Sequence, residues 1–183
     1  MPPDDDPAAQ HRPAFAVARI ASAPDVPGDV ADRLASDGLP RDETGHLDVY
    51  DLVEPARFVP NLGQRGFVVF GESGIAARLC VDAATGAVVQ VASLDVQDAT
   101  ISPVNANLEL FRACMKAFID RFPFYSLDSP DSGPEAPDAV GAELRRLFES
   151  IDPVAGDGFW FDLTYDVGMG DWATEVVLDD SED

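Results

Sequence analysis

Three apolar runs punctuated by glycine constrain the fold of this chain more than any other feature. Phe67 to Phe70, Ala76 to Asp82 and Ala87 to Ala92 are rich in β-formers, and Gly71 to Gly74 and Ala84 to Gly86 separate them. Short β-rich segments joined by glycine-containing turns predict an antiparallel meander. The runs are nearly continuous rather than alternating between apolar and polar. Strands of that kind hide both faces, so helices are expected on at least one side of the sheet.

The helical pattern lies mostly in the second half. Leu108, Phe111, Met115, Phe118 and Phe122 recur at spacings of three and four, with Cys114 and Ile119 beside them. That stripe is a core face. Asn105 is expected to cap this helix and Pro123 to stop it. Asp138 is expected to cap the next one, which carries Val140, Leu144, Leu147, Phe148 and Ile151 and ends at Asp152-Pro153. Phe159 to Val167 reads as a shorter helix with Trp160, Leu163 and Val167 inward. Val26 to Ser36 reads as another, started by Pro27, ended by Gly38 and blocked by Pro40. Phe15 to Ile20 suits a short strand. Thr44 to Pro60, broken by Pro55 and Pro60, is expected to form short strands or extended loop.

The predicted fold class is therefore α+β, a central, mostly antiparallel sheet with packed helices, as one domain over residues 14–174. Residues 1–13, with four prolines and Asp4, Asp5 and Asp6, are expected to be a disordered arm. Ser126 to Pro137 is expected to be an exposed loop and residues 175–183 an acidic tail. A chain of 183 residues, 46% of them hydrophobic, buries roughly 70% of its unfolded surface and needs no disulfide or metal. Cys80 and Cys114 lie within apolar runs and read as small core residues. The start of the chain is unlike a signal peptide, and no apolar stretch has the length of a membrane span. The expected location is the cytoplasm.

Charge is the strongest compositional signal. The formal net charge is −22, and −14 of it falls between Phe122 and Asp183, where Arg145 and Arg146 are the only basic residues. Such a surface repels nucleic acid and anionic lipid, and it draws a basic protein towards it. The expected partner is therefore a basic protein, with neither nucleic acid nor membrane as a ligand. Asp128, Asp131, Asp157, Asp166 and Asp171 are the candidate partner-binding carboxylates, with Trp172 as a candidate aromatic contact. Trp160 lies on the helical stripe and reads as core.

No familiar catalytic constellation assembles from these residues. The two histidines, His11 and His46, have no cysteine or second histidine at metal-ligand spacing. No GxSxG elbow offers a nucleophile. Phe70 to Gly74 (FGESG) lacks the glycines and the lysine of a phosphate loop. Acidic pairs such as Asp179-Asp180 lack the spacing of a calcium loop. The chain reads as a non-enzyme, with no catalytic residues, no metal and no cofactor.

The order of several short segments carries a resemblance. Gly38-Leu39-Pro40 follows the first helix, and a strand enters Phe70-Gly71. Leu79 to Asp82 and the Thr85-Gly86-Ala87-Val88 turn come next, then Asn105, Leu108 and Phe111 at a helix start. Ile151-Asp152-Pro153 and Phe159-Trp160 close the series. Over roughly residues 25 to 172 this succession resembles the SUKH superfamily of bacterial immunity proteins, in particular its fourth family. The resemblance implies an α+β fold and the neutralisation of a cognate toxin, encoded beside it in a polymorphic-toxin locus, by direct contact. The toxins that the resemblance implies include nucleases and nucleic-acid deaminases. A general acidic adaptor or nucleic-acid mimic is the alternative reading. The proline- and aspartate-rich start and the Ser126 to Pro137 segment depart from the family pattern.

Overall fold

A computed structural model describes residues 15–42, 47, 49–62, 65–74, 76–92, 99–125 and 137–172. In chain order these form β1 (Phe15–Ala18), α1 (Gly28–Ser36), β2 (Leu39–Asp42), β3 (Asp51–Leu62), β4 (Arg65–Ser73), β5 (Ala77–Asp82), β6 (Val88–Ala92), β7 (Thr100–Asn105), α2 (Leu108–Arg121), α3 (Pro137–Ile151), a 3₁₀ turn (Pro153–Gly156) and α4 (Phe159–Met169). The arm at 1–13, His11, His46, Asp128, Asp131 and the tail lie outside the described residues.

The three apolar runs become β4, β5 and β6 of a five-stranded antiparallel meander in the order β3-β4-β5-β6-β7. Phe67 pairs with Asp82, Val68 with Val81, and Cys80 with Val89. The expected turn at Gly71 to Gly74 is shorter than read. Gly71, Glu72 and Ser73 remain in β4, paired with Leu79, Arg78 and Ala77, and only Gly74 turns. A bulge between Val69 and Gly71 absorbs the change of register.

Both edges of the sheet are proline-bearing strands. Pro55 and Pro60 sit in β3, one twelve-residue strand where short pieces or loop were expected, and Pro103 sits in β7. An edge strand leaves one side of its backbone unpaired, so a missing N–H there breaks no ladder. Part of the β3 edge is covered. The Ala56 N–H donates to the carbonyl of Ala21, and the Ala23 N–H donates to the carbonyl of Ala56, both at 2.9 Å. β1 and β2 form a separate antiparallel pair.

Both faces of the meander are apolar, which explains the continuous runs. Val68, Phe70, Leu79, Val81, Val88 and Val104 belong to the main core with the buried side of α2. The Phe70 and Phe111 rings meet edge to face with centroids 5.7 Å apart. Phe67, Val69, Cys80, Val89 and Val91 form a second cluster. The α2 stripe is buried as read, Cys114, Ile119 and Phe122 included.

Three details of the helices differ from expectation. Asn107, not Asn105, caps α2: its side chain accepts from the Leu110 N–H at 3.0 Å. The Asn105 side chain is drawn into the core instead. α3 begins at Pro137, where a missing N–H costs nothing, and Asp138 stands inside the first turn rather than capping it. Leu147 is exposed, because the packed side of α3 is Val140, Gly141, Leu144 and Phe148.

Gly141 sets how closely α3 and α4 approach. A Cβ there would lie 2.4 Å from the Thr164 carbonyl oxygen and 3.1 Å from the Gly168 Cα. Only hydrogen fits at that crossing.

Candidate functional site

α4 is held by a buried polar node. The Trp160 indole Nε1 donates to Asn105 Oδ1 at 2.9 Å, and Asn105 Nδ2 donates to Asp152 Oδ2 at 2.9 Å. Asp152 Oδ2 also accepts from the Ala106 N–H at 2.8 Å, and its Oδ1 accepts from the Val154 N–H at 3.1 Å. The node ties the end of β7, the end of α3 and the first turn of α4 together. Asp152 is 1% exposed and has no cation beside it among the described residues. Burial pushes its carboxyl up, but the donors from Ala106, Asn105 and Val154 outweigh that and hold it below the ordinary value.

With one side of α4 committed to the core, the other side faces outward. Phe159, Trp160, Leu163, Thr164 and Val167 are buried. Phe161, Tyr165 and Met169 follow one another at four-residue spacing on the far side, 37%, 53% and 62% exposed. The Phe161 and Tyr165 rings stack with centroids 6.4 Å apart and planes 14° from parallel. The Arg145 guanidinium of α3 lies over the Phe161 ring, 4.1 Å from its centroid. Arg145, Gly141, Ala142, Tyr165, Gly168 and Met169 line a shallow groove between the two helices.

Asp166 and Asp171 meet at the C-terminal end of this face, and Asp162 stands one turn before Asp166, in the first turn of α4. Gly170 takes the left-handed conformation, φ 88°, and closes α4. Its N–H donates to the Val167 carbonyl and that of Asp171 to the Asp166 carbonyl, each at 3.1 Å. This Schellman closure turns Asp171 back over the last turn, towards Asp166. Burial first, then Asp171 and Asp162, raise the Asp166 carboxyl above its ordinary value. None of the three carboxylates has an ion-pair partner among the described residues.

The structure therefore brings together two of the sequence-derived candidates, Asp166 and Asp171, and adds Asp162. Asp157 stands exposed before the N-terminus of α4. That is about 13 Å of axial rise before Asp166, at 1.5 Å per residue. Trp172 is half-buried, its ring edge-on to Phe118 at 5.6 Å and to Phe124 at 6.3 Å. It joins the end of α4 to the core. The Tyr125 hydroxyl donates to the Val167 carbonyl in the same place. Sequence reasoning missed Phe161, Tyr165, Met169 and Asp162. The signal was there: they are the complement of the Trp160, Leu163 and Val167 stripe.

Among the described residues, no group of histidine, cysteine and carboxylate side chains is arranged to hold a metal ion. Both thiols are buried and free. Burial pushes the Cys80 thiol up to about 12 and the Cys114 thiol up to about 11, so neither is a thiolate near neutral pH. No described helix is long and apolar enough to cross a membrane.

A helix-braced antiparallel meander with a free helical face at one end defines a small α+β protein. The SUKH-4 immunity protein family model matches residues 6–166, and the chain belongs to that family. The match takes in the proline- and aspartate-rich start from residue 6 and ends at Asp166, ahead of Asp171 and Trp172. No curated protein and no solved structure matches the chain.

Proposed function

We propose that this chain binds a cognate toxin domain of a bacterial polymorphic toxin system and neutralises it by direct protein contact. Membership of the SUKH-4 immunity family, across residues 6–166, is the observation that carries this reading. Net charge supports a basic toxin, such as a nuclease or nucleic-acid deaminase. At −22, the chain attracts a basic protein surface and repels nucleic acid and anionic lipid. Protection on this reading is stoichiometric and takes place in the cytoplasm, with no turnover by the immunity protein and no cofactor.

The test pairs the purified chain with the toxin domain encoded beside its gene, silenced by substitution in its own active site. A stable one-to-one complex is expected, together with rescue of growth when the active toxin is expressed. Absence of both complex and rescue overturns the reading.

A further inference from the structure

We propose that the toxin docks on the outward face of α4, with Phe161, Tyr165 and Met169 as the apolar contact and Asp162, Asp166 and Asp171 as its acidic border. The docked segment presents a lysine or arginine beside an apolar side chain. This inference rests on the immunity reading above and names the surface that serves it.

The apolar half of the argument is composition and exposure. Tyrosine, phenylalanine and methionine are enriched in interface cores. Here three such residues lie in one line on a single helix, and Met169 and Tyr165 are the most exposed large apolar residues described. The line is not a packing leftover, because α4 already buries five residues on its other side. The helix is also a firm platform. The node at Asn105 holds its first turn, while Trp172 and Tyr125 hold its end. A rigid contact surface loses little conformational freedom on binding.

Charge complementarity names the occupant. Asp162, Asp166 and Asp171 run along one border of the face, from the first turn of α4 to just past its end, and none has an ion-pair partner among the described residues. A partner ammonium or guanidinium set among them relieves their mutual repulsion, an energy gained only on binding. Two arginines stand on the α3 side of the groove, Arg145 on the Phe161 ring and Arg146 beside it, across from the acidic border. Across residues 137–172 eight carboxylates oppose these two cations, so the field over the face favours a basic approach.

Titration calorimetry against the silenced toxin domain tests this with three variants. Tyr165→Ala with Met169→Ala removes the apolar contact. Asp162→Asn, Asp166→Asn and Asp171→Asn remove the acidic border. Asp29→Asn with Asp32→Asn, exposed on α1, is the control. All alter exposed or half-exposed side chains, and circular dichroism melts verify their folding. The first two variants are expected to weaken binding at least tenfold and the control less than twofold. Wild-type affinity in both the first and second variants overturns the surface while leaving the immunity reading intact. Failure of the wild-type chain to bind overturns the immunity reading and the surface with it. Sedimentation adds a further arm. A dimer that Tyr165→Ala dissolves, with toxin binding unchanged, gives the face to a second copy of the chain and overturns the assignment.

Discussion

The indole N–H of Trp160 donates to Oδ1 of Asn105 at 2.9 Å, and that same amide spends its N–H on the buried carboxylate of Asp152. One asparagine thus mediates between a core tryptophan and a carboxylate that has no countercharge among the described residues. Replacing Asn105 with alanine leaves both groups short of a partner. Each buried group orphaned in this way costs about 1–3 kcal/mol. Urea denaturation of Asn105→Ala is expected to show a loss in that range or above. A midpoint equal to wild type means that water fills the site.

Phe111 is the aromatic centre of the core. Its ring contacts Tyr50, Phe70, Phe159 and Trp160. Phe111→Ala is expected to cost about 3–5 kcal/mol, the usual range for a buried phenylalanine. A thermal midpoint within two degrees of wild type contradicts this placement.

Asp152 and Asp166 contribute to acid stability with opposite signs. The Asp152 carboxyl is held below its ordinary value, so its contribution is present above the unfolded aspartate range and is lost as pH falls through the lower folded value. The Asp166 carboxyl is raised, so its charged form penalises the fold near neutral pH, and protonation removes the penalty. Asp166→Asn is therefore expected to raise the thermal midpoint slightly at pH 7. The gain should vanish below about pH 4, the range of a free aspartate. A gain that grows in acid shows the sign to be wrong.

Association with the toxin is expected to slow about tenfold or more between low and physiological salt, where the screening length falls to about 8 Å. Deleting the residues after Val177 is expected to leave protection unchanged, since terminal charges contribute less once ordering entropy is counted. Stopped-flow rates across a salt series measure the first effect and toxin-challenged growth the second. A salt-independent rate removes electrostatic steering from the mechanism.

Local periodicity was enough to determine the α2 stripe, the inward side of α4 and the meander of β4, β5 and β6. In each case the residues that decide the structure are neighbours in the chain, three or four apart on a helix or consecutive in an apolar run closed by glycine-containing turns. The strong negative charge of the last third was equally plain, since charge needs no fold to be counted. The SUKH resemblance came from the order of such local segments, and the family match extends it to residue 6.

Tertiary structure alone decided the rest. Pro55 and Pro60 read as breaks that leave only short strands or extended loop, yet β3 runs through both because it is a sheet edge, a property set by the neighbours a strand lacks. Asn105 read as a helix cap because its true partners, Asp152 and Trp160, lie 47 and 55 residues further on. Leu147 fitted the α3 stripe, yet Gly141 drew that helix towards α4 and left Leu147 at the edge. The acidic border depends on one left-handed glycine, Gly170, which folds Asp171 back towards Asp166. Spacing along a chain reports which side chains share an element, but which elements meet is settled by long-range packing, and the α4 face exists only through that packing.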